Sequence, residues 1–259
     1  MLKFEEALKI AFDIAHYVAD KIDELEQEDW NKVVGKNVYG SKTRLVDKVA
    51  EEAAFYMIEQ HDPPLNILSE ERGLVNRGYD EVLILDPLDG TTNAIWGVPF
   101  YGISIAIGKN RLGDVYFGYV FNLVNSDEFY SYKGEGVYWN NVKVVPKKGS
   151  EMHSLSLGKH FNESSEKSKE FVINALNCGK LRALGAAALE LALVSVGVLR
   201  YYFQPSERLR VVDIAAGALF VWENGGIVTN SKCESLKQLP ISLDVRTSVF
   251  ASLERGLLC

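Results

Sequence analysis

The stretch Val82-Leu83-Ile84-Leu85-Asp86-Pro87-Leu88-Asp89-Gly90-Thr91-Thr92-Asn93 constrains this chain more than any other. Four consecutive apolar residues read as a buried strand, which stops at two aspartates, a proline and a glycine. Two carboxylates three positions apart on a tight turn repel each other unless a cation neutralises them. Pro87 fixes φ and removes a backbone donor, so oxygens can gather on one side. Gly90 lets the main chain approach a ligand closely, and the N–H groups of Gly90 and Thr91 can face an anion. The expected object is a hard-metal site with a phosphate cradle beside it. An Asp-Pro-x-Asp-Gly turn also closes strands that bind nothing, so the segment needs companions.

Three companions stand elsewhere in the chain. Leu65-Asn66-Ile67-Leu68 reads as a short strand running into Ser69-Glu70-Glu71, whose end would sit beside that of the Asp86 strand if the two share a sheet. Asp213 opens an almost wholly apolar helix from Val211, where it is either a cap-type acid or a metal ligand; a buried carboxylate without a partner is expensive, which favours the ligand role once a metal is admitted. Asp47 lies near the start of another helix, where simple complementation of the helix dipole would also explain it. One neighbouring chemistry is excluded by spacing. An aspartyl-phosphate nucleophile needs an aspartate two residues before the second acid of an Asp-x-Asp-Gly-Thr turn, and Pro87 stands there.

Composition narrows the partners. The 259 residues are 47% hydrophobic and 24% charged, as in a soluble globular protein of one large domain or two packed halves. A net charge of −7 without any basic run argues against nucleic acid, and an acidic protein that handles phosphate needs metal cations to attract it. Cys178, Cys233 and Cys259 show no paired spacing, so no disulfide framework and a cytoplasmic location are expected. The four histidines show no zinc spacing. The charged N-terminus is no signal peptide, and the apolar run Ala183 to Leu199 is broken by Glu190, so it reads as a buried helix and not a membrane span.

Along the chain, Phe4, Leu8, Ala11, Ala15, Val18, Ile22 and Leu25 recur at helical steps. Residues 30–42 are polar with two glycines and read as a loop. A second helix follows, with Val46, Val49, Ala53, Tyr56 and Met57 on its apolar face and Thr43 or Ser41 as N-cap. Residues 101–107, 114–121 and 128–132 read as an antiparallel meander. After a polar link near 147–150 the pattern alternates: strands at 154–157, 180–182, 199–203 and 249–251, with helices from about Ser164, through the Ala-rich run, and from Val211 to Asn224. An α/β half is thus expected beside an α+β half.

Together these segments resemble the inositol monophosphatase family of magnesium-dependent, lithium-sensitive phosphatases. An archaeal-type branch of that family also hydrolyses fructose 1,6-bisphosphate. The motifs are Asp86 to Asn93, Ser69-Glu70-Glu71 standing for Gly-Glu-Glu, and Val212-Asp213-Ile214-Ala215-Ala216-Gly217 standing for Trp-Asp-x-Ala-x-Gly. The resemblance implies an α+β / α/β fold, a layered αβαβα sandwich of the sugar-phosphatase type, in two tightly packed halves at 1–147 and 148–259. It implies Glu70, Asp86 and the Leu88 carbonyl as ligands of one Mg2+, with Asp86, Asp89 and Asp213 holding a second, and two or three ions in all. Thr91 and Asp47 match the pair that polarises the attacking water, with Glu70 also counted as catalytic. Gly90 and Thr91 would face the phosphate, and Gly185 and Ala187 the sugar or inositol ring. The segment from Gln204 to Arg210 departs from the pattern of inositol-specific members, which hold a substrate-selecting acid there, and Glu207 is the candidate for it. Lys36 is the candidate for the basic residue of the family's mobile loop before the second helix. Arg182, Arg208 and Arg210 would favour a second anionic group on the substrate. A small phosphate ester is the implied partner, in a homodimer, with neither nucleic acid nor membrane. Two departures, Ala94 for an aromatic and Val212 for tryptophan, bear on substrate shape. The alternatives are a phosphatase of nucleotides such as 3'-phosphoadenosine 5'-phosphate, or a catalytically silent phosphosugar-binding protein.

Overall fold

The computed structural model describes residues 1–37, 40–147, 149–158, 160–177 and 179–257. Two helices, α1 (Phe4–Asp23) and α2 (Leu45–His61), flank a small antiparallel hairpin of β1 (Val33–Lys36) and β2 (Lys42–Arg44). Next come β3 (Asn66–Ser69), β4 (Gly73–Val75), β5 (Val82–Asp89), α3 (Thr91–Trp96), β6 (Gly102–Gly108), β7 (Phe117–Asn122), β8 (Glu128–Tyr132), β9 (Val137–Trp139) and β10 (Val142–Lys143). The rest comprises β11 (Met152–Leu155), α4 (Glu166–Leu176), β12 (Lys180–Arg182), α5 (Ala187–Ser195), β13 (Tyr201–Leu209), α6 (Val211–Glu223), β14 (Ile227–Thr229) and β15 (Thr247–Ser252).

Strand periodicity assembles these into layers, because successive residues face opposite sides of a sheet. An eight-stranded sheet runs in the order β10-β9-β8-β7-β6-β5-β3-β4. Leu83, Leu85, Ile103, Ile105 and Ile107 pack with Ile10, Ile14, Val18, Val46 and Ile58 of α1 and α2. Their neighbours Val82, Ile84 and Ala106 pack on the other face with Leu191, Ile214 and Phe220 of α5 and α6. Tyr202, Val249 and Ala251 close that same layer from a five-stranded sheet of order β12-β11-β13-β15-β14. Its far face, with Phe203 and Phe250, packs on Val172 and Ala175 of α4. The result is the expected αβαβα sandwich, and the core around its central helices α5 and α6 mixes residues from both sides of position 147. All eight residues of β5 are buried, as a strand covered on both faces requires.

Several elements differ from the sequence reading. Within 30–42, β1 and β2 form a hairpin because Asn37 staples the turn, its side chain accepting from the Ser41 N–H at 3.0 Å. Every β1 residue is exposed, so no alternation marked the strand. Neither Thr43 nor Ser41 caps α2. Thr43 lies in β2 and donates its hydroxyl to Glu71, while Asp47 caps the helix by accepting the Arg44 N–H at 2.9 Å. Tyr56 is exposed and Val49 only half-buried, because the buried stripe of α2 runs through Val46, Ala50, Ala54 and Phe55 instead. The Ala-rich run yields only α5, since Gly185 and Gly197 both take positive φ and bound it. Strand β13 runs on to Leu209 through an irregularity against β15, and the short strands β4 and β14 carried no pattern long enough to read. Cys233 is disulfide-bonded, contrary to the expectation of no framework, so unpaired cysteines no longer argue for a reducing compartment. Cys178 and Cys259 lie outside the described residues. Among those described, no helix is long and apolar enough to cross a membrane.

The glycine of the Asp213 motif has a packing reason. A Cβ at Gly217 would collide with the side chain of Leu191, where α5 and α6 touch. Gly217→Ala should therefore lower stability by about 1–3 kcal/mol through overpacking. Denaturant unfolding checks it, and an unchanged midpoint would show that the helices can separate at no cost.

Candidate active site

Strands β3 and β5 are parallel neighbours, with Ser69 opposite Leu85, so Glu70 and Asp86 leave the sheet side by side. The Glu70 N–H donates to the Leu85 carbonyl at 3.3 Å. Between Asp86 and Asp89 the ladder to β6 loses register, since Asp86 faces Ser104 and Asp89 faces Gly102. Pro87 supplies no N–H there, and the Leu88 N–H turns inward to Asp86 Oδ1 at 3.1 Å. Asp213 arrives in the first turn of α6, accepting the Arg210 N–H at 2.7 Å. One oxygen each from Glu70, Asp86 and Asp213 lies within 4.8 Å of the others. Asp89 is buried alongside and accepts the Ala188 N–H at 2.7 Å, from the first turn of α5.

Gly90 takes φ +90°, and a Cβ there would press on Ala186, the Phe100 carbonyl and Tyr101. That conformation starts α3 at Thr91. The Thr91 hydroxyl lies 2.9 Å from Asp47 Oδ1 and 3.1 Å from the Leu88 carbonyl oxygen. Both are acceptors and the hydroxyl has one hydrogen, so it donates to one at a time. Asp47 thus caps α2 with one carboxylate oxygen and faces Thr91 with the other.

Burial dominates the electrostatics. It pushes Asp47 up to about 6, against the Arg44 N–H and the Thr91 hydroxyl, which favour the ionised form. Burial raises Glu70 to about 7, with Arg210 opposing and Asp213 adding to the rise. Asp86 and Asp89 are raised well above the usual range by burial and then by neighbouring acids. A basic residue stands among these acids, where the sequence reading had Arg210 facing a substrate anion. The Arg210 guanidinium donates to Glu70 Oε1 and, at 2.8 Å, to Asp213 Oδ1.

The remaining expected residues divide. Gly185, at φ +87°, abuts Asn93, and Ala187 begins α5 beside it. Arg182 is exposed, its guanidinium on the Leu181 carbonyl at 2.8 Å. Glu207 and Arg208 border a cavity of about 460 Å³ with His160, Glu163 and Lys232, and Arg208 pairs with Glu163 at 3.5 Å. Lys36 is exposed at the end of β1. Of the three arginines, only Arg210 joins the carboxylates. A cavity of about 750 Å³ near Arg72, Tyr79 and Lys109 contains none of the acids.

Sequence reasoning assigned no role to Asn93, Ala188 or Glu190. Asn93 donates to the carbonyls of Phe100 at 2.7 Å and Leu184 at 2.6 Å, tying α3 to the Gly185 turn. Its place in the Gly-Thr-x-Asn motif was the only available signal. Glu190 is buried under that turn, where it accepts the Ser154 hydroxyl and burial raises it to about 7.

A layered αβαβα sandwich with buried carboxylates meeting at strand ends and a helix start defines a metal-dependent phosphatase class. Residues 3–257 match the model of the inositol monophosphatase family, and the chain belongs to that family. It is 34% identical over 237 residues to the fructose-1,6-bisphosphatase/inositol-1-monophosphatase of Methanothermobacter thermautotrophicus, covering 87% of this chain and 84% of the other. The protein of the same description from Archaeoglobus fulgidus is 30% identical, covering 96% and 94%. A bifunctional NADP phosphatase/NAD kinase of Methanococcus maripaludis is also 30% identical, over 96% of this chain but only 47% of the longer relative. Among solved structures, Pyrococcus horikoshii PH1897, described as similar to inositol-1 monophosphatase, superposes with a TM-score of 0.81 at 28% identity, covering 100% and 96%. The chain is a phosphoric monoester hydrolase.

The raised carboxylates have a consequence for stability. Unfolded acids titrate near about 4. Glu70 and Glu190 at about 7 and Asp47 at about 6 hold protons to higher pH when folded. The folded state then binds more protons than the unfolded chain, and stability falls as pH rises through that window. Metal-stripped protein should melt higher at about pH 5.5 than at about pH 8, and magnesium should flatten the slope. A melting temperature that rises with pH in chelator would contradict this.

Proposed function

We propose that the protein is a Mg2+-dependent phosphomonoesterase acting on small polyol or sugar phosphates, inositol 1-phosphate and fructose 1,6-bisphosphate among them. The observation that carries it is the meeting of Glu70, Asp86 and Asp213 within 4.8 Å, beside the 2.9 Å Thr91–Asp47 contact. The donor set suits a hard cation: carboxylate oxygens, an adjacent carbonyl at Leu88, and no sulfur or imidazole among the converging groups. Glu70, Asp86, Leu88, Asp89 and Asp213 would hold two or three ions. When bound, magnesium makes water acidic enough to attack and neutralises charge on phosphate oxygens.

The chain's own groups supply the rest. Thr91, donating to Asp47, leaves its oxygen lone pairs to accept a hydrogen bond from the attacking water and orient it. Asp47 can receive a proton passed through that hydroxyl. The N–H groups of Gly90 and Thr91 would face the phosphate, while Gly185 and Ala187 would contact the ring. Residues 1–147 would contribute Asp47, Glu70 and the Asp86–Thr91 segment, and residues 148–259 would complete the site with Asp213. Glu207, Arg182 and Arg210 belong to the same reading as substrate contacts, Arg210 only after leaving its carboxylates. A homodimer, a cytoplasmic location and lithium inhibition complete it.

A panel of phosphate esters assayed with magnesium and with excess chelator tests the reading. Turnover should vanish in chelator, and Asp86→Asn should lose most activity. Persistent activity in chelator would sink the metal mechanism, and no turnover of any ester would favour a silent phosphosugar-binding protein. Preferential cleavage of NADP or 3'-phosphoadenosine 5'-phosphate would favour the nucleotide reading, which the similarity to the Methanococcus maripaludis protein supports.

Thr91→Ala should fold and bind metal yet lose turnover with little change in KM, as expected where a contact is made only in the transition state. A raised KM with an intact kcat would leave Thr91 a phosphate contact and nothing more.

A further inference from the structure

Arg210 is the residue immediately before α6, and its guanidinium touches two carboxylates from different parts of the chain. Nη1 donates to Glu70 Oε1, 140 residues away in sequence. Nη2 donates to Asp213 Oδ1 at 2.8 Å, with Nε on the same oxygen at 3.1 Å. The second Asp213 oxygen takes the Arg210 backbone N–H at 2.7 Å. Asp213 is thus engaged by Arg210 on both oxygens, and Glu70 on one. These are two of the three acids that converge within 4.8 Å.

A guanidinium is a broad, weakly hydrated monovalent cation that binds carboxylates through a planar fork. Magnesium is small and divalent, and demands oxygen lone pairs in near-octahedral order. The two cations compete for the same electron pairs. We propose that Arg210 is an internal counter-ion that holds Glu70 and Asp213 together in the metal-free protein, and that divalent-ion binding displaces its guanidinium from them. The backbone bond from Arg210 to Asp213 need not break, so the freed side chain stays tethered at the start of α6, next to the place where a substrate anion would lie. This inference rests on the metal-dependent reading above and assigns Arg210 a role in setting ion affinity.

The sign of the effect separates competition from support. Calorimetric titration of Mn2+ into metal-stripped protein should show several-fold tighter binding to Arg210→Gln than to wild type. The same variant should melt lower than wild type in chelator, because acids lose their counter-charge. Weaker or unchanged Mn2+ affinity in the variant would overturn the proposal and leave Arg210 a support for its carboxylates. A measurement on wild type guards against a variant that fails to fold. Labelling of Arg210 by phenylglyoxal, followed by peptide mass mapping, should rise when Mg2+ is added, and protection by Mg2+ would overturn the proposal. Wild type that binds no divalent ion at all would instead remove the metal-dependent reading, so the two failures are distinguishable.

Discussion

Crowding of carboxylates, three buried and Glu70 half-buried, is the interaction on which the rest of this structure depends. Removing an ionised acid from water is costly, and leaving several together without counter-charge is costlier still. Glu70, Asp86, Asp89 and Asp213 are nonetheless gathered at one place. Rigid elements impose this: two parallel strand ends, a break in a sheet ladder at a proline, and the first turn of a helix packed on the same sheet. Each acid also has a fixed donor in the Arg210 guanidinium or in the N–H groups of Leu88, Ala188 and Arg210. The strain is held by packing elsewhere in the layers, as functional sites require.

How much could be read in advance follows from how local each signal was. The pairing of Glu70 with Asp86 was legible because each acid ends its own apolar run, and adjacent parallel strands bring such ends together. Thr91 and Asp47 entered through the resemblance and meet in the structure. Arg210 was visible as a basic residue but not as an ion-pair partner of Glu70, since nothing in a linear pattern reports a contact across 140 positions. The β1–β2 hairpin was missed because solvent surrounds it, and hydrophobic alternation arises only where one face is buried. The disulfide at Cys233 was missed for the same reason as Arg210: three cysteines at wide spacing carry no pairing information.

The architecture explains why the three motifs stand so far apart in sequence. The central layer, α5 and α6, serves both sheets, so the helix bearing Asp213 cannot form its contacts until the eight-stranded sheet exists. Gly217 permits α5 and α6 to touch, and α5 in turn brings the Ala188 N–H to Asp89. Asn93 fixes the Gly185 turn from the opposite side through the Leu184 carbonyl. A packing glycine, a turn glycine and a bridging amide thus act together on one carboxylate that none of them touches directly.

The position of Arg210 in the chain has a consequence for biosynthesis. A polypeptide is made from its N-terminus, and domains tend to fold as they emerge. Glu70, Asp86 and Asp89 are translated more than a hundred residues before Arg210 and Asp213. While the second half is still being made, Glu70 lacks the guanidinium that pairs with it in the finished fold, Asp89 lacks the Ala188 N–H, and the sheet that carries them lacks its central helices. The acids of the first half therefore reach their finished set of donors only after residue 210 has left the ribosome.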